Sequence, residues 1–196
     1  MFRFGQAAIG LAILIGCGMA AEKTPFVWME PRIGAGAFSD DLGMLDRERE
    51  EYANNLAIHA VNKVAAAEAS AASLELARRY LALSLHLAPR NRRALVANYQ
   101  LSRGIVPEPI DSDYSAEVLA RLLFTRAQVL KQQGGAENTM LARYFVELAA
   151  ELDPRNEDAV YASELQRLDH GRPDWKMLTD VKDARGPKAP EEGDLP

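Results

Sequence analysis

The sequence predicts an all-α protein of about six helices, paired as antiparallel hairpins and stacked into a short solenoid. Three observations carry that prediction. Apolar residues between positions 40 and 171 recur at spacings of three, four and seven, the helical period, with no strand-like alternation. Prolines and glycines (Pro89, Gly104, Gly134, Gly135, Pro154, Gly171) stand at intervals that suit helix ends. Two stretches, LAPRNRRAL at 87–95 and LDPRNEDAV at 152–160, are near copies of one another.

A first helix is expected over 40–69, with Ser39 or Asp40 as its cap and Leu45, Tyr52, Leu56, Ala60 and Val64 as its buried stripe. A second is expected over 72–88, ended by Pro89, and a third over 92–103, capped by Asn91 and ended by Gly104. The stretch IVPEPIDSDY at 105–114 holds two prolines and reads as a connection. Fourth, fifth and sixth helices follow at 115–133, 137–152 and from Asn156 to about 169. Residues 22–38 read as a tether with an ordered lead-in. Residues 172–196 read as a disordered tail, because GPKAPEEGDLP is too polar and proline-rich to pack.

Shifted by 65 residues, Leu76-Ala77-Arg78 falls on Leu141-Ala142-Arg143, and Leu87, Pro89, Arg90, Asn91 and Ala94 fall on Leu152, Pro154, Arg155, Asn156 and Ala159. A helix, its stop and the next helix thus repeat at one offset, so each unit buries its apolar face against a neighbour. These residues resemble the tetratricopeptide repeat, an alanine-rich second helix ending in Leu-x-Pro and followed by a capping Asn. Ala77, Tyr80, Leu87 and Pro89 fit that pattern, as do Ala142, Phe145, Leu152 and Pro154. The resemblance covers about residues 50–171 and implies a protein that recognises other proteins through a surface. Tandem copies in that family recur every 34 residues or so, and two steps would be about 68 rather than 65. Two three-helix units, about 40–104 and 115–171, are therefore expected beside the alternative of one continuous superhelix.

The first 21 residues, MFRFGQAAIGLAILIGCGMAA, hold one basic residue and an apolar run too short to span a bilayer, which takes about 20 helical residues. They read as a signal peptide. Residues 14–17, Leu-Ile-Gly-Cys, resemble the lipobox of bacterial lipoproteins, which implies that Cys17 becomes the mature N-terminus and carries a lipid on the outer-membrane or periplasmic side. The alternative is a simple signal peptide cut after Ala20 and a protein secreted to the periplasm.

The chain of 196 residues has a net charge of −5, which argues against nucleic acid as a partner, since that needs a concentrated basic face. Three histidines and one cysteine are too few soft ligands for a structural zinc site. No nucleophile, metalloprotease or phosphate-loop signature occurs. Gly34-Ala35-Gly36 lacks a third glycine and a preceding strand, and the Asp111-Ser112-Asp113 stretch lacks the glycine and glutamate of a calcium loop. The expectation is therefore no enzyme, no cofactor and no metal. The charge run DREREE at 46–51 reads as a wet helix face on which Asp46 pairs with Arg49, and Arg47 with Glu51.

The two copied junctions differ in charge. A helix N-terminus favours acids and disfavours bases by roughly 0.3–1 kcal/mol each. Glu157 and Asp158 obey this, whereas Arg92 and Arg93, with Arg90 beside them, do not. Cations gathered on exposed helix amides suit an anion, so Arg90, Arg92 and Arg93 are candidate contacts for an acidic peptide or surface. The first helices of each unit offer a second candidate surface: Asn54, Asn55, Asn62 and Lys63, and Arg121, Thr125 and Arg126. The functional expectation is a lipid-anchored interaction module scaffolding a cell-envelope assembly. The alternatives are an accessory subunit with no ligand of its own and a secreted adaptor. Self-association through opposite charges at PRNRR and PRNED is a further expectation.

Overall fold

A computed structural model describes residues 26–39 and 41–181. The signal-peptide reading and Cys17 lie outside the described residues. Among them the regular structure is helical: α1 Asp46–Ala66, α2 Ala71–Leu87, α3 Arg92–Ser102, α4 Ala116–Gln133, α5 Ala136–Leu152, α6 Glu157–His170 and the short α7 Lys176–Thr179. One parallel bridge joins Arg32 to Asp180.

The repeat is visible in the helix bounds themselves. A shift of 65 residues carries Ala71–Leu87 onto Ala136–Leu152, and Arg92 onto Glu157. The stops are chemical: Pro89 and Pro154 cannot continue a helix. The starts are chemical too, because Asn91 accepts from Ala94 N–H at 3.0 Å and Asn156 from Ala159 N–H at 3.1 Å. α1 pairs with α2, and α4 with α5, while α3 leans on α1 and α2 and α6 leans on α5. Gly134 and Gly135, both at positive φ, turn α4 into α5 in two residues.

The units meet through α1. The Tyr52 ring lies 5.2 Å from that of Phe145, its hydroxyl donates to Leu122 O at 3.2 Å, and Glu48 pairs with Arg126 at 2.9 Å. Leu56, Ala60, Leu123, Ala127, Leu141 and Phe145 are fully buried in one continuous core.

Three expectations are corrected. The first helix begins at Asp46 rather than near 40, and Leu45, expected in its buried stripe, is instead an exposed N-cap position that offers no side-chain cap bond. Ser39 N–H donates to Glu137 Oε2, and Gly43 N–H to Asn138 Oδ1, so the second unit satisfies this stretch and helical bonds are not needed there. Second, the run 46–51 is not simply a solvated face. Arg49 is buried and donates to Leu87 O and Ser39 O, and Glu48 is drawn to Arg126. Third, residues 172–181 are ordered rather than part of a disordered tail; 182–196 lie outside the described residues. Trp175 packs on Tyr144 at 4.7 Å beneath the Arg79 guanidinium, and Leu178 is fully buried. These two large apolar side chains, with hydrogen bonds to α2 and α5, fix a segment too short for its pattern to be read as periodic.

This C-terminal segment and the N-terminal lead-in both lie on α2. Arg78 donates to Met29 O and Thr179 O and pairs with Asp180 at 2.8 Å. His86 Nδ1 accepts from Ala37 N–H, so its Nε2 carries the proton and donates to Leu178 O.

Burial holds His86 below its ordinary value of 6.5, and holds His59 at about 4 with the nearby Lys63 charge adding to it. A histidine whose folded pKa is depressed contributes stability above pH 6.5 and loses it as the pH falls toward the folded value. Asp180, held below the carboxylate range first by Arg78 and then by Thr179, adds a further loss below about pH 4. Urea unfolding at pH 7.5 and pH 5.0 is expected to show a drop at the lower pH, on the order of 2 kcal/mol from His59 alone. Equal stability at the two values would contradict the buried neutral histidines. Arg78→Met is expected to cost about 2 kcal/mol by the same measurement, because it orphans the Met29 carbonyl and removes the buried guanidinium from Asp180, which keeps Arg32 and Thr179, while Thr179 O keeps the Arg32 N–H.

Candidate functional site

The site is built on one buried residue. Asn91 is fully buried at the head of α3, and besides its cap bond its Nδ2 donates to Glu50 Oε1 at 2.8 Å and Asn54 Oδ1 at 2.9 Å. The turn that carries Arg90, Arg92 and Arg93 is thereby fixed against α1. All three arginines are exposed, and none of them enters an ion pair among the described residues.

Beside this turn runs a groove of about 760 Å³. Glu50, Asn54 and Val61 of α1 form one wall, and Arg92, Arg93, Val96, Ala97 and Gln100 of α3 the other. Residues 105–108 and Ile110 of the proline-rich connection close one end. A second concavity of about 430 Å³ adjoins it and shares Glu50, Asn54 and Arg93, adding Arg47, Glu51, Asn55, Ile58, Asp113 and Tyr114. Tyr114 donates to Glu51 at 3.1 Å, and that bond to a carboxylate raises its phenol pKa.

The two candidate surfaces of the sequence therefore converge in the first unit. Arg92, Arg93 and Asn54 line one groove, Asn55 lines its extension, and Arg90 stands on the same turn. Asn62 serves differently. Its Nδ2 donates to Ile110 O at 2.9 Å and its Oδ1 accepts from Ile110 N–H at 2.8 Å, which pins the connection to α1. Asn55 Nδ2 donates to Glu51 O within its own helix.

Lys63 is exposed in the last turn of α1 and Arg121 on α4, and neither lines the groove. Arg126 is no partner contact. Its guanidinium is committed to Glu48 and to Gly43 O, with its side chain only 14% exposed. The partner that claims it lies 78 residues away in sequence, so no local pattern announces the pair. Sequence reasoning also missed Arg47, Glu50 and Glu51 as rim residues. Their helical spacing from Asn54, one or two turns back on the same face, is the signal that would have placed them there.

Chemically the groove offers guanidinium groups without an ion pair among the described residues, amides and apolar wall, beside the carboxylates of Glu50 and Glu108; guanidinium and apolar wall together suit a carboxylate and small apolar side chains. Among the described residues no three His, Cys, Asp or Glu side chains come together to hold a metal. His59 stacks on Tyr80 at 5.2 Å and His86 is spent on backbone. No helix of the described residues is long and apolar enough to cross a membrane. The chain matches no family model, no curated protein and no solved structure.

Arg92 and Arg93 oppose the dipole of α3, at roughly 0.3–1 kcal/mol each. The double variant Arg92→Glu, Arg93→Asp is therefore expected to melt no lower than wild type, because relief at the dipole offsets the added repulsion from Glu50 and Glu108. A fall of more than about 5 °C, about 2 kcal/mol for a domain of this size, would mean that the arginines hold the fold together.

Proposed function

We propose that the chain is an exported, lipid-anchored interaction module that scaffolds an assembly of the cell envelope, and that the groove between α1 and α3 receives an acidic segment of a partner protein. The observation that carries this reading is the set of three arginines around the Asn91 cap, exposed, without ion pairs among the described residues and placed against the helix dipole. Such an arrangement costs stability locally, and an anionic partner recovers it by seating carboxylates on guanidinium groups and helix amides. The resemblance to tetratricopeptide repeats points the same way, toward recognition of protein surfaces rather than catalysis. The Leu-Ile-Gly-Cys run at 14–17 supports anchoring through Cys17.

A second reading, an accessory subunit held in a larger complex through its helices, is favoured by the exposed apolar side chains of α3, Leu95, Val96 and Tyr99. The two readings separate on charge. Charge reversal at Arg90, Arg92 and Arg93 is expected to lower affinity for the acidic partner by a factor of about 100, near 1.4 kcal/mol for each of two desolvated contacts, with the melting temperature unchanged. Capture that survives the triple reversal, and disappears only when Leu95 and Tyr99 are made polar, would favour the accessory subunit. Cys17→Ser is expected to move the protein from the membrane pellet to the soluble periplasmic fraction. An unchanged distribution would rule out the lipid anchor.

A further inference from the structure

The second unit carries its own version of the groove, and the first unit shows what such a groove accepts. Between α1 and α4 the matching shift is 67 residues, with Ala53, Leu56 and Ala60 falling on Ala120, Leu123 and Ala127, all fully buried. Under the 65-residue repeat, Val96, Ala97 and Gln100 of the first groove fall on Tyr161, Ala162 and Leu165, which line a groove of about 590 Å³ between α4 and α6.

In the first unit the chain packs its own extended segment, residues 105–110, against the end of the groove. Pro107 is buried, Val106 and Ile110 rest on the core, and the Asn62 amide holds the Ile110 backbone by both its N–H and its C=O. From there the chain runs back along α1, toward the helix start, and reaches Glu51 at Tyr114. In the second unit the described chain turns away at Gly171 toward α2. Tyr161, Leu165 and Leu168 stay 70%, 44% and 72% exposed. The groove there has an amide of its own. Gln128 stands on the α4 wall at the position matching Val61, one residue before the counterpart of Asn62, half-buried and with no hydrogen bond among the described residues.

We infer that the groove between α4 and α6 binds an extended, proline-containing apolar segment of a partner protein, with a basic residue seated at its Asp158 end. Three features fix the occupant. The apolar wall and the uncommitted Gln128 amide call for the kind of segment the first unit supplies to itself, an extended backbone read by an amide with alternate side chains in the groove. Proline suits it because a pre-extended chain loses less entropy on binding. Charge sets the polarity, since Glu157 and Asp158 occupy the positions that Arg92 and Arg93 hold in the first unit, and Asp158 lines the groove. At the other end Lys131 and His170, in the last turns of their helices, share the rim with Asp169, and the Arg143 guanidinium there donates to the carbonyls of His170 and Gly171. A segment that followed the direction of residues 110–114 would present its basic residue after the prolines. This surface is separate from the α1–α3 groove and opposite to it in charge at the corner where the third helix of the unit begins, so either assignment can fail without the other.

The test uses the full-length protein in detergent and a fluorescein-labelled peptide, Ile-Val-Pro-Gln-Pro-Ile-Ser-Ser-Lys, followed by fluorescence anisotropy. Saturable binding is expected, weakened about tenfold by Leu165→Asp and by Asp158→Lys, several-fold by Gln128→Ala and by replacing both peptide prolines with alanine, and unaffected by Arg92→Glu with Arg93→Asp. Tyr161→Asp, at a more exposed position on the same wall, repeats the test if Leu165→Asp lowers the melting temperature. No binding at millimolar peptide would overturn the inference. So would binding that survives both aspartates, or that depends on Arg92 and Arg93. Sedimentation showing a dimer that Leu165→Asp dissociates and the peptide does not would assign the surface to a second copy instead, and would equally overturn it.

Discussion

Two polar side chains on α2 hold the frame on which everything else rests. Arg78 and His86 are both buried, and between them they take up backbone groups at Met29, Ala37, Leu178 and Thr179 together with the Asp180 carboxylate. Two irregular segments from opposite ends of the described chain thereby lie on one helix, with their polar groups satisfied rather than buried unpaired. Leu178 and Phe38 come with them and close the core over α2. The repeat shows how such a device arises. Arg143, the counterpart of Arg78 on α5, donates to the carbonyls of His170 and Gly171 and so receives the end of α6. One arginine per unit receives irregular chain on its second helix, Arg78 the lead-in and the 179–180 stretch, Arg143 the end of α6.

A frame fixed in this way leaves the third helix of each unit bound on one side only. α3 and α6 each pack their inner residues on the neighbouring hairpin and present the other flank to a groove. The shared geometry of the two junctions, Leu-x-Pro-Arg-Asn with its asparagine cap, sets where that helix starts; the two residues that follow set only the charge of the rim. Exchanging Arg-Arg for Glu-Asp therefore changes the charge at the corner of each groove without moving the helix that forms its wall. Under the two proposed binding roles, that division of labour accounts for two near-identical stretches carrying opposite charges within one small protein.

The sequence made the helix-rich part legible because each signal there is local. Pro89 and Pro154 end α2 and α5 because they lack a backbone N–H and restrict the residue before them, and Asn91 and Asn156 start α3 and α6 by accepting from the amide three residues on. What it hid was decided across distance. The start of α1 is displaced because Glu137 and Asn138 take over the amides of Ser39 and Gly43. Arg49 and Glu48 read as part of a wet helix face and Arg126 as a partner contact, yet all three are consumed by partners on other elements. The 172–181 segment has too few apolar residues to show a period, and its order comes from Trp175 and Leu178 finding Tyr144 and the core. The candidate site was half visible: its arginines stood out by violating the dipole rule, whereas the convergence with Asn54 and Asn55 needed the fold.

The most direct test of the binding role is photo-crosslinking in native membranes from a photoreactive residue placed at Val96, on the wall of the α1–α3 groove, beside one placed at the exposed Glu75 on α2. The predicted result is one discrete adduct from position 96, mapping to an acidic segment of the partner, absent from position 75 and abolished by charge reversal at Arg92 and Arg93. An adduct equally strong from both positions, or one from position 96 that persists after the reversal, would contradict a groove that recognises an acidic partner.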